Sequence, residues 1–333
     1  MNYIGSKLKL CQDFLPNTIK KVCGSDLSRK TFCDIFAGTG IVARTFKSKV
    51  KKVIANDVEY YSFVLNRNYI GNCEAIENKA ELIEELNNAT LIEDGFIYKN
   101  YCIGGSGKRV YFSDYNGKKI DTIRTKIEEW KSTQKISSDA YYFLLCSLLE
   151  SADKCANTAS VYGAYLKKLK ATAKKNLILE AAEYEVTENE CEVFQADANA
   201  LIKKIEGDIL YLDPPYNARQ YGANYHLLNT IARYKEFEPR GKTGLPEYYR
   251  SKYCSKFTVL KEFEELIKNA HFKYIFLSYN NEGLMTTNDI KAILSRYGAY
   301  DLVKTEYQRF KADSSRYNKA DNTVEYVHIL VKN

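Results

Sequence analysis

The chain has 333 residues, of which 45% are hydrophobic and 27% charged, and its formal net charge is +7. These values fit a globular protein of one large or two modest domains, and no apolar segment is long enough to span a membrane. Nine cysteines without a C-x-x-C pair and a polar start exclude a disulfide-rich secreted protein and disfavour a metal site, so we expect a cytoplasmic protein.

A glycine turn opens the chain. It runs from Tyr3 to Lys7, contains Gly5, and precedes a helix-like stretch. A lysine in such a loop can bind a carboxylate, although a lone lysine is more often a solvated surface residue.

A strand, a glycine turn and a helix are predicted in succession over residues 31–46. This order is the first unit of a nucleotide-binding α/β fold. Gly38 and Gly40 allow the backbone to approach a ligand, and the N-terminus of the helix attracts negative charge. The second strand ends just before Asp57, where an acid commonly binds ribose hydroxyls. The glycine spacing also fits a dinucleotide fingerprint, but no later motif supports hydride transfer.

Residues 73–190 interrupt the alternation of strands and helices, and helices are predicted there at 77–91, 120–131 and 141–150. Between Phe96 and Lys135, nine Lys and Arg residues minus four Asp and Glu residues leave a charge of +5. Lys108 and Arg109 follow glycines in this stretch that do not match a P-loop. Such charge is usually a solvated face, but the tyrosines mixed with it favour a nucleic-acid surface.

A tetrapeptide, Asp213-Pro214-Pro215-Tyr216, follows the apolar strand predicted at 209–212. The prolines end the strand and hold the acid in extended geometry at the carboxyl end of the sheet, where open α/β sheets bind ligands. The Asp213 carboxylate and the Pro214 carbonyl are two acceptors, and Tyr216 is a flat ring beside them. Together they suit a planar amine, although a plain acidic turn is the alternative.

Polar residues lie on both sides of the tetrapeptide. Asp197 follows a predicted strand and either caps the next helix or reaches an adenine amine. Arg219 belongs to the loop directly after the tetrapeptide. Residues 239–256 form a second basic segment, in which five bases, including Arg240 and Lys242, minus one acid leave +4. The chain closes with two predicted strands and no helix between them, which indicates a terminal hairpin.

These motifs resemble the DNA adenine-N6 methyltransferases of the alpha, or D12, class, in which the recognition region precedes the catalytic tetrapeptide. The resemblance covers nearly the whole chain. The segment from Tyr3 to Lys7 is similar to the family's N-terminal cofactor motif, 34–40 to its glycine motif, and Asp57 to its acidic ribose motif. Residues 213–216 are similar to its catalytic tetrapeptide in the DPPY form.

The resemblance implies an α/β fold with a Rossmann-like, seven-stranded, mainly parallel methyltransferase sheet whose last strand is antiparallel. Residues 1–72 and 191–333 would form the catalytic domain, and 73–190 a mostly helical inserted target-recognition region. The implied methyl donor is S-adenosyl-L-methionine, and the implied cofactor-binding residues are Tyr3, Lys7, Asp34, Phe36, Gly38, Gly40, Asp57 and Asp197. From charge and position we expect DNA contacts from Lys108, Arg109, Arg219, Arg240 and Lys242.

The chemistry of the tetrapeptide fits adenine. Adenine N6 is a poor nucleophile because its lone pair is delocalised into the ring. Hydrogen bonds to Asp213 and Pro214 would free that lone pair, and attack on a sulfonium methyl group then needs mainly in-line positioning. The base must leave the helix, and Tyr216 is placed to stack on it. The expected partners are double-stranded DNA and a cognate restriction endonuclease that acts separately.

Several alternatives remain open at this stage. The same tetrapeptide suits the N4 amine of cytosine, an adenine in RNA, or the amide of a protein glutamine. A protein of a different class, which binds DNA through an inactive methyltransferase fold, would have a similar sequence. The intact cofactor and catalytic positions argue against that last alternative.

Overall fold

The computed structural model describes residues 7–308 and 322–333, so Tyr3 lies outside the described residues. Its α-helices are α1 (Leu8–Gln12), α2 (Phe14–Cys23), α3 (Ile41–Phe46), α4 (Tyr60–Asn66), α5 (Lys79–Asn88), α6 (Phe96–Tyr101), α7 (Asp114–Ser132), α8 (Ser138–Cys155), α9 (Ala198–Leu201), α10 (Tyr221–Asn224), α11 (His226–Arg233), α12 (Val259–Asn269) and α13 (Thr287–Leu294). Short 3-10 helices cover Lys47–Lys49, Ala171–Lys174 and Lys252–Cys254, and a π-helix covers Arg67–Gly71. In this described part of the chain, no helix combines the length and apolar character needed to cross a bilayer.

The described strands form one seven-stranded sheet. They are β1 (Thr31–Asp34), β2 (Lys52–Asn56), β3 (Glu190–Phe194), β4 (Glu206–Leu212), β5 (His271–Asn280), β6 (Gly298–Gln308) and β7 (Asn322–Lys332). The order across the sheet is β3-β2-β1-β4-β5-β7-β6, and β7 runs in the direction opposite to that of the other six strands. The expected mainly parallel sheet, its antiparallel last strand and the terminal hairpin are therefore confirmed.

The centre of the sheet is β4, between β1 and β5. Residues 209–212 of β4 are fully buried, as expected for a parallel strand covered on its faces. One face of the sheet packs against α12 and α13 through a continuous apolar cluster. A strand buried this way holds its carboxyl end rigidly, and the site described below depends on that end.

The chain divides into two compact units. The sheet unit consists of residues 7–66, 187–220, 249–308 and 322–333 of the described chain, and it contains all seven strands. The helical unit consists of 67–186 and 221–248. The insertion predicted from the sequence covered 73–190 alone, whereas the helical unit also takes in 221–248. The assignment of this unit to target recognition stays a prediction.

Two long helices of the helical unit begin earlier than the sequence patterns predicted. The apolar periodicity placed their starts at Ile120 and Tyr141, which was wrong. The observed α7 begins after Ser113, whose hydroxyl accepts a hydrogen bond from the backbone of Asn116. In the same way α8 begins after Ser137. Both serines are N-caps, which satisfy backbone N–H groups in the first turn and so set the helix start independently of the apolar stripe.

A buried acid ties two helices of this unit together. The side chain of Asp121 on α7 accepts the backbone N–H groups of Ile97 and Tyr98, each at 2.8 Å, and the hydroxyl of Tyr234 at 2.6 Å. It therefore caps the start of α6 from a distance. A few residues along the same helix, Arg124 donates to carbonyls near the end of α11. These contacts hold α6, α7 and the end of α11 together.

Candidate active site

The carboxyl ends of three neighbouring strands lie at one edge of the sheet unit. Asp34, the last residue of β1, is in register with Ala55 on β2 and with Tyr211 on β4. Asp57 and Asp213 follow just beyond these partners, and both are close enough to raise the pKa of Asp34. The structure thus brings together three acids that the sequence placed in separate motifs.

The glycine turn after β1 is held by α4. The Asn66 amide and the Ser62 hydroxyl both donate to the carbonyl of Gly38, at 3.0 and 2.8 Å. Gly40 has a φ of +75°, and a Cβ atom there would lie 2.5 Å from Oδ1 of Asn66. A side chain at this position would strain the backbone and displace Asn66. The turn therefore keeps a bare backbone before α3, as close approach of a cofactor requires.

Asp57 closes this turn from the end of β2. Its Oδ2 accepts the backbone N–H of Gly38 and its Oδ1 that of Glu59, both at 2.9 Å. Burial raises the pKa of Asp57 to about 6, while these two N–H groups lower it. Each carboxylate oxygen has a second lone pair that is able to accept a ribose hydroxyl. The expected role of Asp57 is compatible with this geometry.

Asp34 is a buried acid with an unsatisfied oxygen. The residue is 1% exposed, and its Oδ1 has no hydrogen-bond partner among residues 7–308 and 322–333. Burial is the main cause that raises the pKa of Asp34 above its usual range. A buried acceptor without a donor is costly, so one that faces a ligand-binding edge suits a donor from the ligand. S-adenosylmethionine carries ammonium, hydroxyl and amine donors, so the site fits it.

Asn56 directly precedes Asp57 in the ribose motif, and it has a structural role that the sequence did not indicate. Its side-chain amide donates to the carbonyls of Ile35 and Ala196, at 3.0 and 3.1 Å, and its carbonyl oxygen accepts from the Ala196 backbone at 3.0 Å. It therefore joins the ends of β1 and β2 to the segment after β3. The signal in the sequence is a polar residue at the end of a buried strand, directly before the acid.

Asp213 contacts a buried lysine. Nζ of Lys7 lies 3.2 Å from Oδ1 of Asp213 and 2.7 Å from Oε1 of Glu325. Burial alone would lower the pKa of Lys7, but the two acids together raise it above its ordinary value, so the ammonium stays charged. Burial raises the pKa of Asp213 to about 6, although Lys7 lowers it. Glu325 could not be recognised from the sequence, because no motif lies near it in the chain.

The rest of the tetrapeptide is fixed on both sides. Pro214 is buried and Pro215 is half-buried. The half-buried Tyr216 packs against the apolar cluster beneath the sheet edge, and its carbonyl accepts the backbone N–H of Leu284 at 3.0 Å. Burial raises the pKa of Tyr216, so its hydroxyl stays protonated at neutral pH. The ring is thus held beside Asp213 as a neutral aromatic surface.

Two further cofactor candidates have clear local partners. Asp197 is the N-cap of α9, where its Oδ1 accepts the Ala200 backbone N–H at 3.0 Å, which confirms the capping prediction. Its Oδ2 accepts the hydroxyl of Tyr249 at 2.7 Å. The half-buried ring of Phe36 lies edge-on to Tyr253, with 5.1 Å between the ring centres. Their roles toward the cofactor stay predictions.

In the helical unit, Arg109 holds a tight turn. Arg240 and Leu245 exchange backbone hydrogen bonds, so residues 241–244 form the turn between them. The guanidinium of Arg109 donates to the carbonyls of Asn100, Pro239 and Gly241 at 3.0 to 3.3 Å. The two basic segments predicted from the sequence, one before and one after the tetrapeptide, are therefore joined by this arginine.

The other basic candidates are exposed. Lys242 lies in the turn itself, and Lys108 has a φ of +47° directly before Arg109. Arg240 forms an ion pair with Glu247 at 3.4 Å, in which both side chains are largely exposed. Arg219 is exposed, and it lies in the sheet unit in the loop that follows the tetrapeptide. Their contacts with DNA stay predictions.

Comparison with known proteins identifies relatives over the whole chain. Residues 3–293 match the family described as D12 class N6 adenine-specific DNA methyltransferase. The chain is 63% identical to the type II methyltransferase M.NlaIII of Neisseria lactamica, over 100% of this chain and 99% of that protein. It is 40% identical to the type II methyltransferase M.CviAII of Paramecium bursaria Chlorella virus 1, over 99% and 98%. It is 37% identical to the type II methyltransferase M.FokI of Planomicrobium okeanokoites, over 100% of this chain and 53% of that one.

The family match favours the N6 amine of adenine over the N4 amine of cytosine, and DNA over RNA or protein. It also agrees with the site, in which a glycine turn and an acidic tetrapeptide meet at one sheet edge. The chain belongs to the D12 class N6 adenine-specific DNA methyltransferase family, and it is an enzyme that transfers a methyl group from S-adenosylmethionine to adenine N6 in DNA.

Proposed function

We propose that the Asp213 carboxylate and the Pro214 carbonyl accept the two N–H groups of adenine N6, and that Tyr216 stacks on the base after it has left the duplex. The observation that carries this proposal is the contact between Asp213 and the buried ammonium of Lys7, 3.2 Å away, at the same sheet edge as the glycine turn. Two acceptors that draw the amine hydrogens out of the ring plane free the nitrogen lone pair for attack.

The protein's part in the reaction is positioning and proton acceptance. S-adenosylmethionine supplies a methyl group on a sulfonium, which the freed lone pair attacks in line. The N–C bond would form as the S–C bond of the sulfonium breaks and a neutral thioether leaves. The amine would then lose one proton, and the Asp213 carboxylate hydrogen-bonded to it would be the acceptor. Because the pKa of Asp213 is about 6, the carboxylate is ionised at neutral pH and able to accept that proton.

For the cofactor we propose that Gly38 and Gly40 supply the bare backbone, that Asp57 binds the ribose hydroxyls and that Asp34 accepts a donor. The Lys7 ammonium, which carries three N–H donors and lies between the carboxylates of Asp213 and Glu325, would also bind the methionine carboxylate. Tyr3, Phe36 and Asp197 complete the predicted set.

We further propose that the enzyme acts in the cytoplasm as the modification partner of a separate restriction endonuclease; the type II names of its relatives support this. Long-read modification mapping of DNA from cells that express the chain should show N6-methyladenine at one recurring sequence. DNA from cells that express the Asp213→Ala variant should show none. Methylcytosine, or methyladenine without a recurring sequence, would contradict the proposal.

For the helical unit we propose that Lys242 contacts DNA phosphate and that Arg109 acts by fixing the turn that carries it. The Lys242→Ala variant should bind all duplexes more weakly and lower the salt slope by about one. The Arg109→Ala variant should have a similar defect, because the carbonyls of Pro239 and Gly241 lose their donor. If Arg109 acts only through the turn, the double variant should be no weaker than the Lys242→Ala variant.

The measurement is binding of cognate and mismatched duplexes at several salt concentrations. Lys135, whose side chain is paired with Glu85 in the same unit, provides the matched control, and Lys135→Ala should change nothing. Additive losses from Arg109 and Lys242 would mean that Arg109 contacts DNA itself. Unchanged affinity in both variants would make the turn ordinary solvated surface.

A further inference from the structure

Glu325 is a buried carboxylate in a rigid position. It lies on β7 between two other strands, paired with Asn280 on β5 and Thr305 on β6. Its side chain is 8% exposed, and its Oε1 is 2.7 Å from Nζ of Lys7. Because both neighbouring strands hold its backbone, the carboxylate has little freedom to move away from the lysine.

Lys7 joins Glu325 to Asp213. The same ammonium lies 3.2 Å from Oδ1 of Asp213, and the lysine side chain is itself 8% exposed. A buried ammonium is stable only when anions compensate for its lost hydration. The contact with Glu325 is the shorter of the two, and Glu325 is the more buried acid. Glu325 therefore holds the Lys7 ammonium in place, and the same ammonium contacts Asp213.

We propose that Glu325 is a positioning residue for methyl transfer: it holds Lys7 against Asp213 and thereby sets the orientation and charge of the carboxylate that receives the adenine amine. This inference rests on the proposed role of Asp213. Because Lys7 contacts Oδ1, the other oxygen, Oδ2, is left for the amine N–H. One cation between two anions also leaves a net charge of −1 at the site, which complements the positive sulfonium of the donor.

The two residues act on Asp213 in opposite directions. Burial is the largest cause that raises the pKa of Asp213 to about 6; Lys7 lowers that pKa, and the negative charge of Glu325 raises it. Within residues 7–308 and 322–333, the other titratable groups that interact with Asp213 are on α1, β1, β4 and the tetrapeptide, namely Cys11, Asp34, Tyr211 and Tyr216. These groups are the same in every variant below, so differences between variants report on Lys7 and Glu325.

The test is a ¹³C NMR titration of the full-length chain with labelled aspartate carboxyls, without DNA. The Asp213→Asn variant identifies the Asp213 signal. In Glu325→Gln the side chain keeps its size and one oxygen near Lys7 but has no charge, so the titration midpoint of Asp213 should move down. In Lys7→Met the midpoint should move up, by about 1–3 pH units for the loss of an adjacent opposite charge.

Lys7→Met alone leaves Glu325 buried without a partner, so this variant can fail to fold. The double variant, Lys7→Met with Glu325→Gln, removes both charges and keeps the proposal testable. Its midpoint should lie above that of the wild type, because Lys7 affects the pKa of Asp213 more than Glu325 does. The matched control is Glu192→Gln. Glu192 on β3 forms an ion pair with Lys52 on β2 at 2.9 Å, and removing its charge should leave the Asp213 midpoint unchanged.

The activity arm uses the pH dependence of kcat/KM, which reports groups of the free enzyme. The acid limb of this profile should shift together with the NMR midpoint of Asp213. It should shift to lower pH in Glu325→Gln and to higher pH in the double variant. The inference is overturned if the Asp213 midpoint does not move in Glu325→Gln. It is also overturned if the acid limb of the kcat/KM profile is the same in both variants as in the wild type. Full activity of Asp213→Ala would instead overturn the proposed function, so the two failures are distinguishable.

Discussion

Replacing Asp213 by alanine is expected to abolish methyl transfer, with a loss of at least about 100-fold, as for removal of a preorganised group at the reacting atom. The variant removes one of the two proposed acceptors for adenine N6 and the group proposed to take its proton. Binding of S-adenosylmethionine should stay within a few-fold of the wild type, because Gly38 and Gly40 lie in the turn after β1, Asp57 binds that turn from the end of β2, and their hydrogen bonds do not involve Asp213. Calorimetric titration with the cofactor and a methyl-transfer assay on plasmid DNA measure the two effects separately.

Asp208 provides a matched control on the same strand. It lies at the opposite end of β4, where its carboxylate accepts from the Thr31 backbone at 2.8 Å and contacts Lys30 at 3.3 Å. The Asp208→Ala variant should lose some stability but keep its rate of methyl transfer. If Asp213→Ala lost cofactor binding outright, Asp213 would have to be reassigned to the cofactor.

Replacing Tyr216 by alanine is expected to reduce kcat/KM by roughly 5- to 150-fold, because stacking on a base is worth ~1–3 kcal/mol. The Tyr216→Phe variant should keep most of the activity, since any aromatic ring offers a face to the base. The Tyr216 hydroxyl stays protonated at neutral pH, because burial raises its pKa, so the stacking role needs no charge on the ring. Rates on duplexes that carry the target adenine measure the effect.

The control for Tyr216→Phe is a tyrosine whose hydroxyl has a structural partner. On β6, the hydroxyl of Tyr300 is hydrogen-bonded to Nδ1 of His328 on β7 at 3.0 Å. The Tyr300→Phe variant should lower stability by about 1 kcal/mol and leave base binding unchanged. Equal losses in Tyr216→Phe and Tyr216→Ala would assign the role to the hydroxyl and exclude stacking.

Local sequence determined the sheet and the main chemical groups of this protein. The glycine turn after β1 was predictable because Gly40 needs a positive φ that other residues rarely adopt. The carboxyl end of β4 was predictable because two prolines must end a strand, which places Asp213 at the edge. The last two strands were recognised as a hairpin because no helix separates them. Each of these features depends on residues within one short stretch of chain.

The tertiary structure alone decided which groups surround Asp213. Lys7 and Glu325 come from opposite ends of the chain, and their contact exists because β7 pairs with β5 and brings the acid under the sheet edge. In the same way Arg109 meets the carbonyl of Gly241 only after the helical unit has folded. Charge patterns show that such residues are ionised but not which partner they meet, since pairing follows from strand order and helix packing over long separations in sequence.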